Sequence, residues 1–475
     1  MKISKKQWGV FMGPIGFILI SQAPIFSTLG NAATGVLGTA FWMAVWWIFE
    51  CVPMAATALL PIVLFPLVGG LGLAETTAAY GHKYIFLFLG GFILAIAIEK
   101  WNLHKRLALI IIAQIGTHKS YIILGFMGAT AFLSMWISNT AAAVMILPVG
   151  MAIASHIEKK SGGKNSKFGK ALMLSIAYSA SIGGIATLIG TPPNLVMAGV
   201  IQEAYGIEIT FLDWFLFAFP LSLILLWFAW FVLVKIAFKI KNDHSDSGKN
   251  EVKLMLQSLG KMSKQERYVM AVFLFMALAW IFRSFLLVKI FPEIDDTIIA
   301  IAGALLLFII PANKEEALVS WEDTKQLPWG IIVLFGGGIA LANGFESSGL
   351  AKWIGENLMG LQAVPFWALV LILVIGVNFL TEITSNLATT AMLLPILASV
   401  AIALNAHPFV LIMGATLAAS CAFMLPVATP PNAVVFGSGY LKIGEMIRVG
   451  FWLNVISTFL VFLWVYFLLP LFWAL

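Results

Sequence analysis

"FLSMWISNTAAAVMILP" at residues 132–148 and "FLTEITSNLATTAMLLP" at 379–395 decide the fold. Both are apolar enough for a bilayer, yet each carries a polar triplet at its centre. One triplet is Ser138-Asn139-Thr140, the other Ser385-Asn386-Leu387. Lipid offers these side chains no hydrogen bonds, so protein, water or a ligand must supply them.

The rest of the chain fits a membrane. Of 475 residues, 61% are hydrophobic and 11% charged, against about 25% charged in a soluble chain. Mean hydropathy is +0.98. The pattern predicts an all-α polytopic membrane protein. The net charge of +6 does not mark a nucleic-acid binder, because the basic residues sit in short loops between apolar runs. Cys51 and Cys421 lie far apart in apolar surroundings, so no disulfide framework is expected. The six histidines form no metal-ligand spacing. The basic start and apolar run at the N-terminus read as a retained first span rather than a cleaved signal, because no cleavage site follows closely.

Spans are expected near 8–28, 35–50, 53–73, 84–100, 171–203, 212–236, 267–289, 297–311, 328–345, 408–440 and 449–474. An amphipathic stretch, "WNLHKRLALIIIAQIG", follows Lys100. The two triplets sit in 121–157 and 364–404, whose legs of about 16 residues are short for a crossing of about 20. Re-entrant hairpins fit better, with polar tips at depth shielded by protein or lining a wet cavity. With a cytoplasmic N-terminus and an outside C-terminus, all Lys and Arg but Lys83, Arg283, Lys289 and Lys352 fall in cytoplasmic segments, as the positive-inside rule requires. That gives eleven spans and two hairpins.

The halves repeat. Ser138 and Ser385 are 247 apart, as are Gly91 and Gly338, and Glu99 and Glu346. Nine of 23 positions are identical between 132–154 and 379–401. "LIGTPPN" at 188–194 matches "PVATPPN" at 426–432, with Thr191 and Thr429 238 apart. The first hairpin opens from the cytoplasm and the second from outside, so the repeats are inverted. Inverted repeats with broken helices point to a secondary transporter with its site near mid-membrane.

Thr-Pro-Pro-Asn interrupts a helix by removing backbone donors and clashing with the preceding turn. Pro192 and Pro430 are placed to start the second half-helices. The resuming helices are expected to present free N–H groups, and Ser and Asn cap the second leg of each hairpin. Four helix N-termini would then meet, which favours an anion. Neighbouring carbonyls and hydroxyls suit sodium. No Lys or Arg lies in 121–157, 171–203 or 364–440, so a carboxylate must be neutralised without basic side chains. Ser175, Ser179 and Ser181 read as helix–helix glue. Glu382 is either a functional acid or a hydrogen-bonding partner within the hairpin. His407 reads as interfacial.

These residues resemble the divalent anion–sodium symporter family, the sodium-dicarboxylate cotransporters. "ASCAFMLPVATPPNAVV" at 419–435 resembles the family signature, and "ISNT", "TSN" and the doubled TPPN complete the match. The resemblance implies a homodimer in which a scaffold carries an elevator-type transport domain. Scaffold segments would be 1–120 and 241–363, the latter with a cytoplasmic loop; transport segments would be 121–240 and 364–475. It implies one sodium site at Ser134, Ser138, Asn139 and Gly190, and a second at Thr381, Thr384, Asn386 and Ala428. Ser138, Asn139, Thr140, Thr191, Pro192, Ser385, Asn386, Leu387, Thr429 and Pro430 would line the substrate. Leu387 departs from the fuller motif by lacking a hydroxyl, which bears on substrate range rather than ion coupling.

The expected activity is sodium-coupled symport of C4-dicarboxylates such as succinate, malate or fumarate across the cytoplasmic membrane, with no organic cofactor. The alternatives are a sodium-independent di- or tricarboxylate exchanger (citrate, tartrate or 2-oxoglutarate type) and a sulfate symporter. An intramembrane enzyme is disfavoured because no Ser–His pair or metal motif lies at plausible depth. A channel is disfavoured because hairpins at mid-membrane suit alternating access.

Overall fold

Runs of apolar helix formers fill the long segments, and Pro, Gly or Ser-Asn interrupts them. The helices start and stop accordingly. The computed structural model describes residues 5–23, 28–114, 118–161, 167–241, 246–357, 363–404 and 406–473. Lys2, Lys164, residues 24–27 of the first expected span, the end of the last, and the end of the amphipathic stretch lie outside the described residues. Among the described residues there is no strand, and nine helices are long and apolar enough to cross a bilayer. The expected spans near 8–28, 53–73, 297–311 and 408–440 fall on shorter apolar helices.

The repeat visible in the sequence extends through the helices. Lys83–Lys100 is matched by Trp329–Ser347, Lys119–Ser134 by Phe366–Leu380, and Asn139–Ser161 by Asn386–Ala403. The amphipathic helix Leu103–Gln114 also has a mate, Leu350–Asn357, too short to stand out as a pattern. Phe211–Phe231 and Ile443–Leu463 both run on into π-helical turns. Trp464 Nε1 ties that second helix to the Phe217 carbonyl at 3.1 Å.

The mates run in opposite directions. Lys83–Lys100 ends where Lys100 meets Asp323 at 2.6 Å. Trp329–Ser347 begins beside that point, with Trp329 Nε1 donating to the Thr324 carbonyl. The halves also interlock. A Cβ on Gly90 would stand 2.6 Å from the Ala300 carbonyl, and a Cβ on Gly337 2.5 Å from the Ala58 carbonyl oxygen. The glycines are 247 apart and their partners 242 apart, so each half supplies the surface on which the other's glycine helix lies. Such close backbone approach is how helices pack where lipid removes the hydrophobic drive.

The hairpin legs are unequal, and the second legs, which include Asn139–Ile157 and Asn386–Ala403, are long and apolar enough to cross a bilayer, unlike the expected legs of about 16 residues. The first legs have 16 and 15 residues, the second 23 and 18. The longest leg ends in the polar sequence "SHIEKKS" at 155–161, which carries the helix beyond its apolar stretch. Ser175 and Ser179 bond back to carbonyls of their own helix, so they do not act as glue between helices. A hydroxyl in a long helix reaches its own preceding turn first.

Gly90→Val is expected to cost about 1–3 kcal/mol through overpacking and to lower the melting temperature in detergent. Gly376→Ala meets nothing within 4 Å and is expected to leave it unchanged or raise it. Scanning fluorimetry compares the two.

Candidate functional site

Four interruptions of helical backbone meet at one cavity of about 1040 Å³. Its wall includes both hairpin tips (Ser138, Asn139, Thr140 and Ser385, Asn386, Leu387) and both breaks (Gly190, Thr191, Pro192 and Ala428, Thr429, Pro430). Thr384 also lines it. Ser134 and Thr381 stand one layer behind, fully buried. The cavity extends past Glu99 to Lys6, Glu50 and Gln326, at the end of the bundle where Lys100 and Asp323 lie.

Each hairpin tip packs its hydroxyl the same way. Ser134 Oγ stands 2.6 Å from Asn139 Oδ1 and 2.6 Å from the Ala180 carbonyl oxygen. Its mate Thr381 Oγ1 stands 2.6 Å from Asn386 Oδ1 and 3.1 Å from the Ala419 carbonyl oxygen. A hydroxyl has one hydrogen, so in each cluster one oxygen–oxygen contact lacks a proton. The surplus of lone pairs suits a hard cation. The two clusters differ in tightness. A Cβ at Gly184 would lie 2.4 Å from Asn139 Oδ1, whereas its mate is Ala422.

The breaks are closed by asparagine. Asn194 Nδ2 lies within reach of the Gly184 and Thr187 carbonyls, at 3.1 and 2.8 Å. Asn432 Nδ2 reaches the matching Ala422 and Leu425 carbonyls, at 3.2 and 3.0 Å. These bonds satisfy carbonyls freed by the unwinding. Thr429 Oγ1 is buried without a hydrogen-bond partner and borders the cavity.

The helix ends differ in the N–H groups they leave free. Thr191 and Thr429 are N-caps whose side chains cap nothing. The next two residues are prolines in both cases, and Asn194 N is bonded to the Thr191 carbonyl. The broken helices therefore present dipole and hydroxyl but few N–H groups, contrary to the expectation of free donors there. The hairpins are the richer ends. Ser138 Oγ accepts from Ala141 N, while the first-turn N–H groups of Asn139 and Thr140 have no helical carbonyl to reach. Asn386 and Leu387 stand likewise, and Ser385 makes no side-chain cap. Leu387 keeps the backbone donor even though it lacks the hydroxyl.

Glu382 does not bond within its hairpin. It is buried, and its carboxylate accepts from the N–H groups of Phe423, Met424 and Leu425 at 2.7–2.9 Å and from Asn454 Nδ2 at 2.7 Å. It clamps the second break to the second hairpin. In the first half the mate is Met135, and the tie is reversed, with Thr187 Oγ1 donating to the Met135 carbonyl. His407 caps the N–H of Phe409 and meets the Trp473 carbonyl, away from the cavity.

The two halves are not equally covered. Ile189, before the first TPPN, is 7% exposed; its mate Val427 is 81% exposed. Trp136 lies edge-on to Phe273 at 4.8 Å, while its mate Ile383 is 71% exposed. Equivalent sequence thus stands in unequal surroundings in the two halves.

The model of the family described as "Sodium:sulfate symporter transmembrane region" matches residues 4–474. A sodium-dependent dicarboxylate transporter, SdcS, of Staphylococcus saprophyticus is 46% identical over 472 residues, covering 97% of this chain and 91% of the relative. SdcS of Staphylococcus aureus strain USA300 is 46% identical over 473 residues, with 98% and 91% covered. The crystal structure of the Alcanivorax borkumensis YdaH transporter shares the fold at TM-score 0.59 and 13% identity, covering 92% of this chain and 98% of that one.

Glu382→Gln keeps the shape but loses the charge and one acceptor oxygen. Its expected cost is about 2–3 kcal/mol, seen as a lower melting temperature, with the larger loss for Glu382→Leu.

Proposed function

The chain belongs to the sodium:sulfate symporter family, and from that premise we propose that it carries C4-dicarboxylates into the cell with sodium. The single observation that carries this is the pairing of two proton-deficient oxygen clusters with two hairpin tips around one cavity. The clusters hold sodium: Ser134, Ser138, Asn139 and Gly190 in the first half, Thr381, Thr384, Asn386 and Ala428 in the second. The bound cations and the hairpin N–H groups together hold the two carboxylates, and Thr140, Thr191, Thr429 and the backbone at Leu387 complete the contact. The cavity has room for a four-carbon diacid and its water. The likeness to two relatives named as sodium-dependent dicarboxylate transporters supports this reading over sulfate.

The protein sits in the cytoplasmic membrane with its N-terminus inside and its C-terminus outside. The cavity then opens to the cytoplasm, since Lys6, Glu50 and Gln326 line its mouth. Segments 121–240 and 364–475 move as one body against 1–120 and 241–363, in a homodimer whose scaffolds meet. In the opposite state Val427 and Ile383 become covered and Ile189 and Trp136 exposed. Order of events follows from the oxygens: sodium enters first, because an anion alone would face carbonyl and hydroxyl lone pairs.

An imposed sodium gradient is expected to drive succinate uptake into proteoliposomes. Ser134→Ala and Thr381→Ala each remove one oxygen ligand and are expected to raise the half-saturating sodium concentration about tenfold, a loss of about 1.4 kcal/mol. Succinate counterflow that persists without sodium contradicts symport and favours exchange.

A further inference from the structure

The end of the bundle opposite the cavity mouth carries a network of charges. Lys83 Nζ meets Asp295 at 2.9 Å and Glu208 at 3.3 Å. Arg283, 10% exposed, meets Glu208 at 2.9 Å and Asp296 at 3.2 Å. The Asp296 carboxylate also accepts from Phe211 N at 2.7 Å. Beside the network, His82 lies 3.3 Å from Glu203, and Tyr84 OH donates to the Ile209 carbonyl. Burial alone would raise the Asp295 carboxyl, but the Lys83 ammonium and the Thr297 N–H hold it below the ordinary carboxylate range.

The sides of these contacts matter. His82, Lys83, Tyr84, Arg283, Asp295 and Asp296 belong to the proposed scaffold segments. Glu203, Glu208, Ile209 and Phe211 belong to the proposed moving segment. The ties of Lys83 and Arg283 to Glu208, His82 to Glu203, Tyr84 to Ile209 and Phe211 to Asp296 therefore cross the surface along which the two bodies slide, while Lys83–Asp295 and Arg283–Asp296 hold the scaffold side of the network together. Ion pairs within the scaffold, such as Lys100 with Asp323, do not.

The repeat shows what the other end has in the same places. At the 247-residue offset, His82 and Lys83 become Trp329 and Gly330. At the 242-residue offset fixed by Gly90 on Ala300 and Gly337 on Ala58, Asp295 and Asp296 become Pro53 and Met54. Pro53, Met54 and Gly330 line the open cavity mouth. None of these mates carries a charge. The charges at that mouth, Lys6 and Glu50, stand at other positions, so the clasp has no counterpart at the matched places.

We infer that Lys83, Arg283, Asp295 and Asp296 form an external ionic clasp on Glu208 and Phe211 that biases the carrier towards its inward-open state. The device is one-sided at the matched positions: the clasp opens on the outward stroke, and its mates Pro53, Met54, Trp329 and Gly330 carry no charge. Its role rests on the elevator reading proposed above.

The test reads the minor, outward state. Ile189→Cys is introduced with Cys51 and Cys421 replaced by alanine, and a membrane-impermeant maleimide is applied from outside. Glu208→Gln and Lys83→Gln are each expected to raise the labelling rate at position 189 by about threefold, the scale of partly exposed ion pairs. Asp323→Asn, which cuts a tie inside the scaffold, is expected to leave it unchanged. Should the clasp variants fold poorly, potassium chloride is raised outside the unsubstituted clasp. Going from about 0.1 M to about 1 M shortens the screening length from about 10 Å to about 3 Å and is expected to raise the rate likewise. An unchanged rate in both variants, or an equal rise in Asp323→Asn, overturns the clasp while sodium-driven succinate uptake persists. Loss of that uptake in the protein with an intact clasp and unaltered cysteines removes the carrier reading instead.

Discussion

Everything in this structure depends on keeping interrupted backbone satisfied at a depth where lipid offers nothing. Two helices unwind and two hairpins turn, all at one layer. Each interruption is closed by a specific side chain: Asn194 and Asn432 on freed carbonyls, Glu382 on three freed N–H groups, Thr187 on Met135. Satisfaction stops short of completion. Ser134 and Thr381 each stand between two acceptors, and Thr429 Oγ1 has no partner. The remaining capacity is what a cation and an anion can take up.

A second consequence follows from the duplication. Two copies of one motif, inverted, give two ends that a symmetric molecule would hold equally. The exposures of Ile189 and Val427, 7% and 81%, show that this structure holds them unequally. Matched positions of the rims are unequal too, with Lys83, Asp295 and Asp296 at one end and Gly330, Pro53 and Met54 at the other.

Much of this was legible in the chain. The apolar helices, both Ser-Asn turns and both breaks follow from apolar runs and their interruptions, because proline and Ser-Asn act locally. The repeat was legible because its offset is constant through the motifs. Other features were not, for reasons of range. Glu382 bonds residues 41–43 positions away, and no local pattern announces such a partner. Arg283 finds Glu208 across 75 positions. The eight-residue mate of the amphipathic helix was too short for periodicity. The scarcity of N–H donors after each Thr-Pro-Pro is legible in the chain, since proline carries none.

The account's central claim is that anion and sodium share one site built from the four interruptions. Succinate binding to the purified protein, measured by calorimetry in sodium and in equimolar potassium, tests it most directly. The account predicts saturable binding in sodium that weakens at least about tenfold in potassium, a difference of about 1.4 kcal/mol. Equal affinity in the two salts would contradict it.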